Sequence, residues 1–403
     1  MRPSLRTTAW VLRVSVLVTV LATVAMPAAA DGAGMALRAR AVASWPQQGY
    51  DETHRSVNPL ETVLGTSNVA QLTLAWHSFP GQSNTSPVEA DGKLFVTTFD
   101  TSVLMAMDAS TGATLWTFGS EPYSSVDTPA VASGSVYVAI QQTLYRLDEV
   151  TGSVRWSLPI GVSIPAVAAT TQGPVTTLYV AEGDSVWAID GDTGRVMWRQ
   201  TPAPSYGIQV SPTIGNGLVY VADDKLVLHA YYAASGVEAW SLPIQQGTGQ
   251  PTTVALDGTL LLVGITGRLI TAVDALSGAI RWSRHGDIDS NIAVGNGTVY
   301  FESRRPYPAP LRMMALAEAT GHVVWRSELG ANGPVGLNLG PSVANGVVYA
   351  TSAAGAVVAF DATTGARLWM DRTVGVTVTN PAIVNGMVYV ASYQGVFAFG
   401  LPG

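Results

Sequence analysis

The chain has 403 residues, 28 acidic against 21 basic side chains, a formal net charge of −7, 47% hydrophobic residues and no cysteine. Charged residues make up only 12%, roughly half the usual share, which excludes a disordered polyelectrolyte and favours a large apolar core. The acidic balance argues against nucleic-acid binding, and the absence of cysteine excludes disulfides, thiolate metal sites and a cysteine nucleophile.

Residues 1–30 have the pattern of a secretory signal peptide. Three arginines precede an apolar stretch over residues 14–24, and a run of alanines precedes Asp31. That order of charge, apolar run and small residues is typical of a cleaved signal, and no other segment approaches the ~20 apolar residues of a membrane span. We predict cleavage near Ala30 and a secreted or extracytoplasmic, soluble mature chain without a transmembrane segment. A retained N-terminal membrane anchor is the alternative.

A tryptophan series shows that most of the remaining chain is one internal repeat. Eight of the eleven tryptophans are separated by 40, 40, 42, 42, 42, 43 and 44 residues. The members of the series are Trp76, Trp116, Trp156, Trp198, Trp240, Trp282, Trp325 and Trp369. Seven of them end a pattern close to D-x-x-[TS]-G-x-x-x-W, in which Asp and Thr favour a tight turn and Gly supplies the positive φ of a strand reversal. Each tryptophan therefore marks the strand that follows a turn.

Each repeat contains two further turns upstream of this pattern. Asn-Gly or Asp-Gly pairs such as Asn216-Gly217 precede strands of the Val-Tyr-Val type, and these pairs are strong hairpin signals. Further upstream, a proline often opens a short apolar segment, as at Pro87 and Pro129. Proline fits the first residue of a strand. One repeat is thus four short strands, which predicts a propeller blade.

The repeats predict an all-β fold, an eight-bladed β-propeller of four-stranded antiparallel blades. The last repeat, residues 380–400, supplies three strands, and the N-terminal strand around Trp76 is available to pair with it. Such pairing would close the ring and remove an exposed strand edge. A linear β-solenoid is the alternative. We therefore divide the chain into a signal peptide at 1–30, an N-terminal extension at 31–69 and a propeller at 70–403, and expect a monomer.

The repeat endings resemble those of the pyrroloquinoline-quinone (PQQ) type β-propeller family, which is usually eight-bladed. The N-terminal extension, with Trp45-Pro46, Gly49, Asp51 and Arg55, is similar to the opening segment of quinoprotein dehydrogenases. The repeats also resemble the outer-membrane assembly propellers. The resemblance implies that the repeat tryptophans pack between neighbouring blades, as structural rather than ligand-binding residues.

The resemblance also implies a candidate site. Calcium quinoprotein dehydrogenases use a Glu, an Asn and an Asp from three blades around the metal and the quinone, with the Asp as general base. The matching positions here give metal ligands Glu182, Gln250 and Asp287, a catalytic Asp287 or Asp289, and cofactor contacts at Gln250, His285, Asn291 and Arg372. Oxygen ligands suit Ca²⁺, and a carboxylate beside the substrate can accept a hydroxyl proton.

Three departures favour a different function. The vicinal cysteine pair that stacks on the quinone is missing, Gln250 stands where the family has Asn, and the long inter-strand insertions are absent. We therefore predict a non-enzymatic binding or scaffold module for a protein or small-molecule ligand at the axial face, with no assured cofactor. The alternatives are a dehydrogenase that uses PQQ and Ca²⁺ to oxidise an alcohol or sugar, and a ligand- or carbohydrate-binding sensor.

Overall fold

The computed structural model describes residues 44–403, except 84, 99, 120–126, 162–165, 203–206, 209, 245–249, 289, 304–310, 330–339, 353 and 377–378. Asp289, one of the two catalytic candidates, lies outside the described residues. The described strands form eight four-stranded antiparallel blades, one of which carries an additional short strand. The predicted eight-bladed β-propeller is confirmed.

The chain order of the elements follows the repeat. The first elements are β1 (Val57–Asn58), a 3-10 helix (Val69–Gln71) and β2 (Thr73–Ser78). Blades 1 to 4 are β3 (Val88–Ala90), β4 (Lys93–Thr98), β5 (Val103–Asp108) and β6 (Thr114–Phe118); β7 (Ala130–Ala132), β8 (Ser135–Ile140), β9 (Thr143–Asp148) and β10 (Val154–Pro159); β11 (Val167–Gln172), β12 (Val175–Glu182), β13 (Ser185–Asp190) and β14 (Val196–Gln200); β15 (Thr213–Gly215), β16 (Leu218–Ala222), β17 (Val227–Tyr232) and β18 (Glu238–Pro243).

The second half of the ring repeats this plan. Blades 5 to 8 are β19 (Pro251–Asp257), β20 (Leu260–Ile265), β21 (Leu269–Asp274) and β22 (Ile280–His285); β23 (Ala293–Gly295), β24 (Thr298–Ser303), β25 (Arg312–Ala317) and β26 (Val323–Glu328); β27 (Ser342–Ala344), β28 (Val347–Thr351), β29 (Val357–Asp361) and β30 (Arg367–Asp371); β31 (Ala382–Val384), β32 (Met387–Ser392), β33 (Gly395–Gly400) and the N-terminal β2.

The first strands of the blades form the inner ring. Each contacts the first strand of the next blade, and β31 of blade 8 contacts β3 of blade 1, so the circle is complete. Blade 8 is closed as the sequence predicted, because β2 pairs with β33 in a register that places Trp76 opposite Ala398. The two ends of the repeat region therefore share one sheet, which leaves no open blade among the described strands.

Each repeat tryptophan joins its blade to the next. In seven of the eight cases its indole N–H donates to a backbone carbonyl of the turn in the next blade, and its ring lies against the glycine of that turn; Trp369 donates instead to Leu72, which precedes β2. The bonds run from Trp76 to Ala109 (3.1 Å), Trp116 to Glu149 (3.1 Å), Trp156 to Gly191 (2.9 Å), Trp198 to Ala233 (2.8 Å), Trp240 to Ala275 (3.1 Å), Trp282 to Glu318 (2.7 Å), Trp325 to Ala362 (2.9 Å) and Trp369 to Leu72 (3.0 Å). A buried indole needs such a partner for its N–H.

The apolar core lies between the blades. The aromatic residues of the second strands, including Phe95, Tyr137, Tyr220 and Tyr349, are fully buried. Phe95, Tyr220 and Tyr349 each pair with an alanine of the third strand, and Tyr137 pairs with Arg146. Among the described residues, no helix is long and apolar enough to cross a membrane.

Candidate functional site

The N-terminal extension runs along the inner ring and bonds to the first strand of every blade in order. Its described part begins near Trp45, whose backbone N–H and C=O pair with those of Glu89 in blade 1. The later bonds join Pro46 O to Val131 N (2.7 Å), the Gln47 amide to Ala169 O and N (3.2 and 2.8 Å), Glu52 O to Ile214 N (2.8 Å), Thr53 O to Leu256 N (2.9 Å), Arg55 O to Val294 N (2.9 Å), Ser56 O to Val343 N (2.8 Å) and Asn58 Nδ2 to Ile383 O (2.8 Å). Each of the eight inner strands therefore has at least one hydrogen bond to the N-terminal extension.

The N-terminal extension needs unusual backbone geometry to follow this circle. Tyr50, His54 and Ser56 have positive φ values of 81°, 52° and 53°. Gly49 has φ +69°, and a Cβ there would lie 2.8 Å from His54 Cα. Positive φ is uncommon for residues other than glycine, and such residues concentrate where surrounding structure holds them in place. Here the bonds to the inner strands supply that restraint. The sequence marked these residues as an extension before the repeats but carried no signal for their circular path.

A small cavity lies between the N-terminal extension and the inner strands. Its volume is about 30 Å³. It is lined by Gln48, Gly49, His54 and Ser56 of the extension and by Val210, Ser211, Thr252, Thr253, Val254, Asn291 and Asn380 of blades 4, 5, 6 and 8. Asn291 is the candidate cofactor residue that reaches this place, where its Oδ1 accepts a hydrogen bond from Thr253 Oγ1 (2.5 Å). The cavity is thus polar and lies near the axis.

His54 is the titratable side chain that lines this cavity. It is 4% exposed, and its Nδ1 lies 3.3 Å from Thr213 Oγ1. Burial lowers its pKa to about 4, because a charged imidazolium is poorly solvated there. His54 is therefore neutral at physiological pH.

Glu182 lies at the end of β12, on blade 3. Its Oε2 is 3.4 Å from Arg199 Nη2. The guanidinium of Arg199 also donates to Ser185 Oγ (3.1 Å) and lies 4.6 Å from the centre of the Trp187 ring. Burial raises the pKa of Glu182 and the positive charge of Arg199 opposes that rise. A calcium ion at this carboxylate would have to compete with a guanidinium that is already held in place.

Gln250, His285 and Asp287 lie beside one turn of blade 5, the turn between β20 and β21. Gln250 O accepts from Thr266 N (3.0 Å), and Gly267 N donates to Ile288 O (2.7 Å). The side chains of Gln250, His285 and Asp287 are exposed. The structure therefore brings two proposed metal ligands to one turn of blade 5, while the third, Glu182, belongs to blade 3.

Arg372 is exposed in the segment that follows β30, and its Nε lies 3.4 Å from Met370 Sδ. In the part of the chain that the structure describes, no group of three or more His, Asp or Glu side chains could hold a metal ion. Glu182 is thus paired with Arg199 on blade 3, and the Asp287 side chain is exposed on blade 5.

Sequence reasoning missed a second polar site, a cleft of about 470 Å³ beside β17. Here His229 lies 3.3 Å from Asp223 and 3.1 Å from Glu238, one carboxylate at each ring nitrogen. Burial lowers the pKa of His229. The hydrogen bonds to the two carboxylates raise it by more than burial lowers it, so the pKa lies above its ordinary value. The three residues are spread over sixteen positions of sequence, and only the pairing of β17 with β18 brings Glu238 near. A single sequence carries no signal for that register.

Comparison with known proteins places this ring in a family. Residues 67–175, 165–304 and 312–399 match the PQQ-like repeat family described as "Outer membrane protein assembly factor BamB". The matches cover most of the chain, so the chain belongs to this family of PQQ-like propellers.

Individual relatives differ widely in what they do. The chain is 27% identical over 273 residues to outer membrane protein assembly factor BamB of Yersinia pestis, across 62% of this chain and 65% of that protein. It is 27% identical over 285 residues to the serine/threonine-protein kinase AfsK of Streptomyces griseus, across 64% of this chain and 32% of the kinase. The chain thus spans less than two thirds of the length of these curated relatives.

A solved structure of the quinohemoprotein alcohol dehydrogenase ADHIIG from Pseudomonas putida matches with a TM-score of 0.73 and 15% identity, across 89% of this chain and 80% of that one. At this identity the likeness shows the shared fold.

Proposed function

We propose that this protein is an exported propeller that acts as a non-enzymatic binding or scaffold module in the cell envelope or the extracellular space. The observation that carries this proposal is the bonding of the inner ring to the N-terminal extension, where the described residues line an axial cavity of about 30 Å³. Sites for drug-sized ligands and cofactors measure about 300–1,000 Å³. The ring therefore offers its loops and outer blade surfaces as the main contact area for a large partner, and this part of the axis admits only a small group. Membership of a family described by an assembly factor supports the same function.

The proposed partner is a protein that docks on the face bearing the candidate loops. This face carries the exposed side chains of His285, Asp287 and Arg372. Asp287 follows blade 5 and Arg372 follows blade 7, and exposed charges of both signs suit recognition of a polar protein surface, since complementary charge adds specificity and association rate. Export through the signal at residues 1–30 would bring the propeller to such a partner.

A second candidate function is the PQQ- and calcium-dependent oxidation of an alcohol or sugar. One observation favours it: Gln250 and Asp287 meet at the same turn with exposed side chains. The pairing of Glu182 with Arg199 weighs against it.

Site-specific photo-crosslinking in cells that naturally make the protein would test the proposal. A photoreactive residue replaces His285 or Arg372 on the loop face, and Thr114, exposed on outer strand β6, serves as the control position. We expect both loop-face positions to capture the same partner and Thr114 to capture none. Equal labelling at all three positions, or PQQ-dependent oxidation that D287A abolishes, would contradict a scaffold role for this face.

A further inference from the structure

Three buried polar atoms in the axial cavity have no hydrogen-bond partner among the described residues: His54 Nε2, Thr252 Oγ1 and Asn380 Oδ1. His54 and Asn380 are each 4% exposed. Leaving such groups unpaired in a protein interior costs about 1–3 kcal/mol each. Three residues that line one cavity and share this feature indicate a place built for a ligand group.

The hydrogen bonds around His54 fix which of its nitrogens carries the proton. Thr213 Oγ1 donates its single proton to Val254 O (2.6 Å). It can therefore only accept from His54 Nδ1, which lies 3.3 Å away. With Nδ1 protonated and the ring neutral, His54 Nε2 presents a lone pair. The cavity thus holds two acceptors, His54 Nε2 and Asn380 Oδ1, and one hydroxyl, Thr252, that can donate.

The space around Thr252 is kept free by a glycine. A Cβ at Gly264 would lie 2.5 Å from Thr252 Oγ1 and 2.7 Å from Ile288 Cδ1. Gly264 does not have the positive φ that would require glycine, so the requirement here is one of space. The side chain of Thr252 is thereby accommodated beside the cavity.

From these atoms we infer that the axial cavity binds a primary carboxamide. A carboxamide offers two N–H groups for the two acceptors and one carbonyl oxygen for the Thr252 hydroxyl. The described lining residues carry no charged side chain, which favours a neutral group over an ammonium or a carboxylate. A water position needs about 10–15 Å³, so a cavity of about 30 Å³ has room for the nitrogen and oxygen of one amide. The group could come from a small free amide or from an Asn or Gln side chain of a larger partner.

This inference deepens the proposed binding function and rests on it. The chain has only five histidines, so ¹⁵N-histidine labelling gives a resolved signal for His54. We expect His54 to show the Nδ1-protonated tautomer and acetamide to shift its Nε2 resonance saturably. Acetate, which has no N–H donors, should leave that resonance in place. N-acetylglutamine distinguishes the sources: a shift with both amides indicates access for a side chain, and a shift with acetamide alone indicates a free small amide.

Variants test the hydroxyl separately from the fold. T252V should weaken acetamide binding about tenfold, the effect of losing one hydrogen bond, and T252S should retain binding. T117V, on the exposed face of β6, is the matched control and should bind as the unaltered chain does. An unmoved His54 resonance at saturating acetamide, or equal affinity in T252V and T117V, would overturn the inference and leave the cavity to water. Crosslinking of the loop face does not depend on whether acetamide binds in the cavity. Absence of acetamide binding would therefore refute the inference about the cavity, and absence of a crosslinked partner would refute the scaffold function.

Discussion

At the scale of single residues, the glycine and tryptophan of each repeat act as one contact. The turn glycine needs positive φ, and it also has to leave room for the indole of the preceding blade. Gly236 shows both demands, with φ +71° and a Cβ position 2.7 Å from Trp198 Cδ2. The repeat motif is therefore conspicuous in the sequence because two physical requirements fall on the same residue.

The two requirements can be separated by two alanine substitutions. G217A places a Cβ at φ +75° with nothing within 4 Å, so it should cost about 1 kcal/mol of unfolding free energy from backbone strain alone. G236A adds the clash with Trp198 and should cost about 2 kcal/mol more. Urea unfolding of both variants measures the difference. Equal losses would show that the indole contact contributes nothing.

The buried His229 cluster predicts a pH dependence of stability. Because the pKa of His229 is raised in the folded state, its contribution is fully present below the unfolded pKa of about 6.5 and is lost as pH rises through the folded pKa. Burial also raises the pKa values of Glu89 and Glu318 to about 7, so urea unfolding between mildly acidic and mildly alkaline pH should show a decline that H229Q reduces. H322Q, at an exposed histidine, should keep the decline. A decline unchanged in H229Q would assign the effect to other groups.

At the scale of elements, the N-terminal extension is the part that distinguishes this ring from a bare set of repeats. Gln47 imitates a strand residue, since its side-chain amide bonds to both the N–H and the C=O of Ala169. It is 4% exposed. Removing this amide leaves two backbone groups of an inner strand without partners.

Q47A should accordingly lower the unfolding free energy by about 3 kcal/mol, the cost of two unpaired buried groups. Q71A, which removes an exposed glutamine of the 3-10 helix, should change stability by less than about 0.5 kcal/mol. Chemical unfolding gives both values. A loss in Q47A no larger than in Q71A would mean that the bonds of the N-terminal extension do not stabilise the inner ring.

How much the sequence could predict differs between these elements. The turns within a blade depend on nearby residues, so the sequence predicts the hairpin at Gly217 and the strand at Trp240. Counting the strands of each repeat predicts that the strand around Trp76 closes the ring. The sequence does not predict the path of the N-terminal extension or the cavity around His54, because both depend on contacts between residues far apart in sequence. The same holds for Glu182, whose pairing with Arg199 arises from the packing of β13 and β14.

At the scale of the whole molecule, stability depends on joining the two ends of the repeat region. β2 and β33 complete blade 8, and the N-terminal extension bonds the inner edges of all eight blades. Deleting residues 31–79 should remove both features, expose the edge of β33 and sharply lower the melting temperature. A chain that begins at residue 62 keeps β2, and its melting temperature should lie between that of the full chain and that of the chain without residues 31–79. An unchanged melting temperature after the larger deletion would contradict the closure.

The central claim is that this PQQ-like propeller binds a partner and does not catalyse quinone-dependent oxidation. Calorimetric titration of residues 31–403 with PQQ in excess Ca²⁺ tests it most directly, with D287A and D289A variants alongside. The account predicts no saturable heat in any of the three proteins. Micromolar or tighter binding that either substitution weakens, followed by dye-linked oxidation of an alcohol or sugar, would contradict it and establish a quinoprotein.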